Sequence, residues 1–154
     1  MTDRVLICTD LDRTLLPNGA EPESAGARER FHAVVDRPEV ELAFVSGRHR
    51  ALVEAAIAEY QLPRPNFVIG DVGTTIARVT PDRQIAPIAE LEAEIAGKWA
   101  DSGPRVRSAL KDVPGLTLQP TTFRYRVSYD YDPTQFDDGA LELIEDMGLD
   151  ALIS

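Results

Sequence analysis

A chain of 154 residues, 44% hydrophobic and 27% charged, is long enough for an ordinary globular core and too rich in apolar residues to be disordered. Its formal charge of −10, from 16 Lys plus Arg against 26 Asp plus Glu, argues against a general nucleic-acid binder. No apolar run is long enough to span a bilayer and the N-terminus lacks a signal-like apolar segment, which points to a cytoplasmic protein. The single cysteine, Cys8, excludes an internal disulfide and a cysteine-rich metal site.

Val5-Leu6-Ile7-Cys8 reads as a strand buried on both faces, so Cys8 is expected to be a buried structural thiol. The strand runs into Asp10-Leu11-Asp12-Arg13-Thr14. Ligands of open α/β sheets bind at the carboxyl ends of strands. Two carboxylates one residue apart repel each other unless a cation lies between them, and a hard divalent metal is the natural third party. Taken alone, the same five residues also suit a surface turn that merely ends a strand. Pro17-Asn18-Gly19 is turn chemistry, and the segment 23–35 carries Ala27, Phe31, Val34 and Val35 at helical spacing. His32, within that helix, has no His or Cys partner at metal-ligand spacing and is given no role.

The segment 40–45 reads as a second buried strand and ends in Ser46-Gly47-Arg48, just before an amphipathic run with Leu52, Val53, Ala56, Ile57 and Tyr60. Ser46 is either an ordinary helix N-cap or a donor to an anion at the helix start, where Gly47 permits close approach. Arg48 either meets that anion or pairs with an acid in the helix. Phe67-Val68-Ile69 forms a third short strand that ends at Gly70-Asp71-Val72-Gly73-Thr74. The resulting β-α-β-α-β order predicts an α/β fold with a three-layer, Rossmann-like parallel sheet and right-handed crossovers. Asp71 is either a turn acid capping the strand end or a direct contact to metal or substrate.

At Ile76 the pattern changes to a hairpin, 76–79 and 84–86 around Pro81-Asp82, so a first unit of 1–80 and a second, α+β unit of 81–154 are expected. Ile88, Leu91, Ile95 and Trp99 share a helical face; Ser102-Gly103-Pro104 breaks the run, and a second helix follows over 105–111. Strands are expected over 116–118 and 123–131, then a helix carrying Phe136, Ala140, Leu141, Ile144 and Met147, then a strand from Leu149 to Ser154. Along 123–131 the odd positions are apolar or aromatic. The even positions, Arg124, Arg126, Ser128 and Asp130, form a face that meets solvent or closes over a site.

Asp10-Leu11-Asp12-Arg13-Thr14 resembles the first motif of the haloacid dehalogenase superfamily of phosphohydrolases, Asp-x-Asp-x-Thr after a strand. Arg13 departs from it, since that position is usually small or neutral. Ser46-Gly47-Arg48 is similar to the second motif as it stands in one subgroup, and Asp71-Val72-Gly73-Thr74 resembles the segment at the same place in sucrose-phosphate phosphatases and their relatives. The element order after residue 81 resembles the start of a type-II, subclass B cap.

The resemblance implies a magnesium-dependent phosphatase of small-molecule sugar phosphates, with sucrose 6-phosphate first among the substrates. Asp10 would attack phosphorus to form an aspartyl-phosphate, and Asp12 would protonate the leaving alcohol and then deprotonate water. Thr14, Ser46, Gly47 and Arg48 would bind phosphate. Asp10, Asp12 and Asp71 would hold Mg2+, and Arg124 and Arg126 would touch the substrate from the cap.

The superfamily's later Lys and acidic loop have no counterpart in these residues. Turnover by the 154-residue chain is therefore expected to be feeble or absent, and an incomplete core is expected to favour self-association or a complementing chain. A catalytically silent phosphate-binding or regulatory module and a phosphomutase relative are the alternatives. A phospho-receiver domain fits poorly, because its acids are not spaced one apart with a Thr following.

Overall fold

A computed structural model of the chain describes residues 3–17, 19 and 22–153. The chain forms two compact units, Met1–Glu94 and Ile95–Ser154. In the first, strands β1 (Val5–Thr9), β2 (Val40–Val45), β3 (Phe67–Gly70), β4 (Thr75–Val79) and β5 (Ile85–Pro87) build one sheet in that order. The strands β1, β2 and β3 run parallel and are joined through helices α1 (Ala27–Val35) and α2 (Arg50–Glu59), whereas β4 and β5 return antiparallel. The fold is mixed α/β. Parallel neighbours need a crossover between them, so each of the first two strands releases its chain at the same sheet edge before a helix carries it back.

Register explains where the core lies. Ile7 is opposite Leu42, Phe44 opposite Val68, and Val68 opposite Ala77, so a period of two puts all of them on one face. Val53 and Ala56 of α2 complete this core, and Phe31 and Val35 of α1 pack against it. On the opposite face Leu6, Cys8 and Val45 are exposed, Leu6 to 55%. The expectation of a first strand buried on both faces, with a buried Cys8 thiol, is therefore corrected. β1 is the outermost strand, and its second face is open. A continuous apolar run does not distinguish a strand covered twice from one covered once.

Other differences have local causes. α1 starts at Ala27 and not near Glu23, because Gly26 takes a left-handed φ of 71° just before it. Val34 of the expected stripe is 42% exposed. Of the expected turn 17–19, Asn18 lies outside the described residues. The hairpin is present, but β5 pairs with β4, Val79 opposite Ile85, and so belongs to the first sheet. The boundary expected after residue 80 therefore falls between Glu94 and Ile95, within helix α3 (Ala89–Trp99). The switch from helical to alternating pattern marks an antiparallel return and not a new unit.

In the second unit, α4 (Ser102–Ala109) and α5 (Gly139–Asp146) flank strands β6 (Leu116–Leu118) and β7 (Tyr129–Tyr131) in sequence. Val106, Leu110 and Ala140 form a small core with Leu116, Val127, Tyr129, Phe136 and Ile144 against it. Ser102-Gly103-Pro104 opens α4 instead of breaking the run: proline is tolerated in a first turn, where its missing N–H has no helical partner. The break falls at Ala100, whose φ is 45°.

The strand expected over 123–131 is only three residues long. Its partner β6 stops at Leu118, and residues 119–128 form a loop closed by the Gln119 N–H donating to the Ser128 carbonyl at 3.0 Å. No strand follows α5 among the described residues, and Ser154 of the expected one lies outside them. Among the described residues no helix is long and apolar enough to cross a membrane.

Candidate active site

β1 ends at Thr9, and the chain then folds tightly around Leu11, which is fully buried and anchors the turn in the core. The Leu11 carbonyl accepts the N–H groups of Thr14, Leu15 and Leu16 at 3.3, 3.0 and 2.8 Å. Arg13 takes φ 58° to close the turn. Asp10 precedes this anchor and is exposed; its Oδ1 accepts the Leu11 N–H at 2.6 Å. Asp12 follows it and is gripped by Arg48, whose Nε donates to Oδ2 at 2.8 Å and Nη2 to Oδ1 at 2.7 Å. The hydrogen bond to Asp12, joined by its negative charge, holds the Arg48 guanidinium above its already high ordinary pKa. Arg48 thus pairs with an acid, but with one 36 residues earlier and not one in the helix that follows it.

At the end of β2, Ser46 is 5% exposed; its N–H donates to the Ile69 carbonyl at 2.9 Å and its Oγ accepts the Arg48 N–H at 3.2 Å. The N-cap of α2 is His49, so Ser46 belongs to the turn before the helix and not to the cap. A Cβ on Gly47 would meet nothing nearer than Val72 Cγ2 at 3.9 Å, which leaves the space over its backbone open.

At the end of β3, Asp71 and Val72 take consecutive left-handed conformations, φ 52° and 57°. The Asp71 N–H donates to the Arg48 carbonyl at 3.0 Å, and its Oδ2 accepts the Thr75 hydroxyl at 2.9 Å. Arg48 therefore ties three strand ends together: side chain to the β1 turn, carbonyl to the β3 turn, and backbone to the end of β2.

Between these ends lies an open cavity of about 630 Å³, lined by Cys8, Thr9, Asp10, Val45, Ser46, Gly47, Val72 and Gly73. The geometry brings Asp10, Ser46 and Gly47 together at one concave surface. Asp12 and Arg48 are bound to each other and Thr14 is exposed in the turn; neither these three nor Asp71 lines the cavity. None of Cys8, Thr9, Val72 and Gly73 was given a role at the site from the sequence, where Cys8 was read as a structural thiol and Val72 and Gly73 only as part of a segment; their position at strand ends beside the motifs was the available signal.

In the second unit, Arg126 lies 3.4 Å from the Phe123 ring centre and donates to Ser128 Oγ at 2.7 Å, lining a separate cavity of about 310 Å³ with Arg107. Arg124 lies over Tyr125 at 5.2 Å.

Among the described residues no three His, Cys, Asp or Glu side chains converge to hold a metal ion. Asp12 has both oxygens in the Arg48 fork, and Asp71 bonds to Thr75, so Asp10, Asp12 and Asp71 do not form a carboxylate cage. Magnesium does not require one. It is bound through one or two carboxylates with carbonyls and retained waters, and the exposed Asp10 meets that smaller requirement.

The aspartate pair after one parallel strand and the Ser-Gly turn after the next are the two segments whose sequence resembles motifs of haloacid dehalogenase-like hydrolases, and here they lie at neighbouring strand ends. A solved sucrose-phosphatase from Synechocystis sp. PCC6803, in complex with sucrose and phosphate, has this fold: TM-score 0.75 at 18% identity, over 96% of this chain and 58% of that one. A haloacid dehalogenase-like hydrolase from Bacillus subtilis aligns with TM-score 0.62 at 15% identity, over 93% of this chain and 55% of the other. The sucrose-6F-phosphate phosphohydrolase family matches residues 3–151, and the chain belongs to it.

A HAD-like hydrolase of Nitrosococcus oceani is 46% identical over 140 residues, 89% of this chain and 37% of the relative. A glucosylglycerol-phosphate synthase of Pseudomonas anguilliseptica is 30% identical over 151 residues, 97% of this chain and 19% of that protein. The chain thus spans well under half the length of these two relatives.

Proposed function

We propose that this chain carries part of a magnesium-dependent phosphomonoester hydrolase of cytoplasmic sugar phosphates that works through an aspartyl-phosphate. The observation that carries the reading is Asp10, exposed at the end of β1 in the same cavity as Ser46 and Gly47. The Asp10 carboxylate attacks phosphorus as the bond from phosphorus to the sugar oxygen breaks. Protonated Asp12 gives its proton to that oxygen, and the alcohol leaves. Asp12, now a carboxylate, takes a proton from water as the water oxygen attacks phosphorus, releasing inorganic phosphate and restoring Asp10.

The Ser46 hydroxyl and the Gly47 backbone hold phosphoryl oxygens, with Thr14 and Arg48 reaching in from the neighbouring turns. Asp10 and the Asp12 carbonyl are the groups that would hold magnesium, with Asp71 as a substitute ligand were it to leave Thr75; the ion when bound would supply positive charge against the phosphate oxygens. Arg124 and Arg126 would meet the substrate from a second unit that begins a cap. The names of two relatives, a sucrose-phosphatase and a glucosylglycerol-phosphate synthase, both concern glycosyl compounds and support a sugar phosphate as substrate. The open face of β1 around Leu6, away from the cavity, is where a second copy or a complementing chain would pack.

The test is hydrolysis of p-nitrophenyl phosphate, sucrose 6-phosphate and glucosylglycerol phosphate by the purified chain, with and without magnesium, beside Asp10→Asn. Magnesium-dependent release of phosphate that falls at least about a hundredfold in the variant supports the reading. Activity that survives Asp10→Asn sinks it. A catalytically silent phosphate-binding module is the second reading, favoured by one observation: the Arg48 fork occupies both oxygens of the proposed acid. Phosphate binding without any turnover would support it.

A further inference from the structure

The Arg48 fork on Asp12 is at odds with a free general acid, and its setting suggests how both are accommodated. The backbone of Arg48 is held on all sides. Its N–H donates to Ser46 Oγ, its carbonyl accepts the Asp71 N–H, and Gly70 packs so closely that a Cβ there would lie 3.1 Å from that carbonyl. The guanidinium is not locked in the same way: the Arg48 and Asp12 side chains keep 29% and 36% of their accessibility. The pair is bidentate and so stronger than a single-contact surface pair, but both partners stay within reach of solvent, where a solute oxyanion can compete for the fork. A phosphate dianion offers the same pair of oxygens as a carboxylate, with more charge, to the same planar fork. Arg48 is also the residue next to Ser46 and Gly47, which line the cavity with Asp10.

We propose that Arg48 is a latch on Asp12: it holds that carboxylate in the ligand-free site and transfers its fork to the phosphate of an arriving phosphomonoester, leaving Asp12 to face the leaving oxygen. Only hydrogen bonds are exchanged: Arg48 binds the phosphate and, by doing so, releases Asp12. The proposal rests on the phosphomonoester reading above, but its test needs no turnover.

Binding of inorganic phosphate to the full chain is measured by titration calorimetry for the wild type, Asp12→Asn, Arg48→Met and the double variant, each checked for folding by circular dichroism. Freeing the fork by Asp12→Asn should tighten phosphate about tenfold, Arg48→Met should weaken it, and Asp12→Asn should have almost no effect once Arg48 is gone. Equal tightening in both backgrounds would mean plain charge repulsion and overturn the latch. So would the absence of phosphate binding in folded wild type and Asp12→Asn alike. Should Arg48→Met not fold, Arg48→Lys replaces it, keeping the charge and losing the fork; the coupling should then largely vanish, and its full retention overturns the proposal. Intact coupling in a chain that hydrolyses no phosphomonoester would support the exchange and remove the enzymatic reading.

Discussion

Asp10, Asp12 and Asp132 have the same carboxylate and differ in everything around it. Asp10 keeps solvent access and accepts the Leu11 N–H, Asp12 is held by a guanidinium, and Asp132 is wrapped by its own loop. Asp132 Oδ1 accepts both the N–H and the hydroxyl of Thr134, at 2.9 and 2.7 Å, and Oδ2 accepts Gln135 Nε2 at 2.6 Å. These hydrogen bonds, the Thr134 hydroxyl first, hold its pKa below the ordinary carboxylate value.

A depressed pKa means that the unfolded chain binds the proton more readily. The contribution of Asp132 is then complete above the ordinary carboxylate pKa and is lost as pH falls through the depressed one. A carbon-detected titration of the Asp132 carboxyl should give a midpoint below that of Asp132 in a Thr134→Ala, Gln135→Ala variant; equal midpoints would refute the assignment.

The elements show what a sequence pattern carries and what it does not. The β-α-β-α-β order was legible because Leu42, Phe44 and Val68 are apolar in short runs bounded by Gly, Pro and Asp. The placing of Asp10 and Ser46 at neighbouring strand ends was legible for the same reason. The Asp12 to Arg48 pair was not: it joins residues 36 apart, and no local spacing encodes it. Nor did alternation over 123–131 reveal that β6 offers only Leu116 to Leu118 as a bonding edge.

Gly115 belongs to the same class of hidden constraint. It takes φ 75°, and a Cβ there would lie 2.8 Å from the Phe136 nitrogen and 3.0 Å from the Gln135 carbonyl carbon, both backbone atoms that cannot swing aside. Gly148 takes φ 73° with nothing within 4 Å. Gly148→Ala should therefore cost about 1 kcal/mol for the left-handed conformation alone, and Gly115→Ala at least roughly 2 kcal/mol. Urea unfolding of the two variants checks the order; equal losses would show that the loop at 132–136 yields.

At the scale of the whole molecule, the strand that leads into both aspartates lies at one edge of its sheet, with β2 as its one bonded neighbour among the described residues. The Val5 N–H donates to the Glu39 carbonyl at 2.9 Å, so by the period of two the Ile7 and Thr9 amides face β2 as well, and those of Leu6 and Cys8 face outward. Such a strand can detach by breaking a single ladder, without the central strands opening.

Detachment would remove Asp10 and Asp12 from Ser46 and Arg48 in one event. A ligand that needs all four can bind only the docked strand. Its affinity is then stored as resistance to local opening: at a concentration of about 100 Kd, the amide exchange of Ile7 and Thr9 should slow by about a hundredfold. Exchange in β4, two strands away from the opening, should change far less. Unequal protection of this kind, read by hydrogen exchange with and without phosphate, would show that occupancy of the cavity and the docking of the first strand are a single equilibrium.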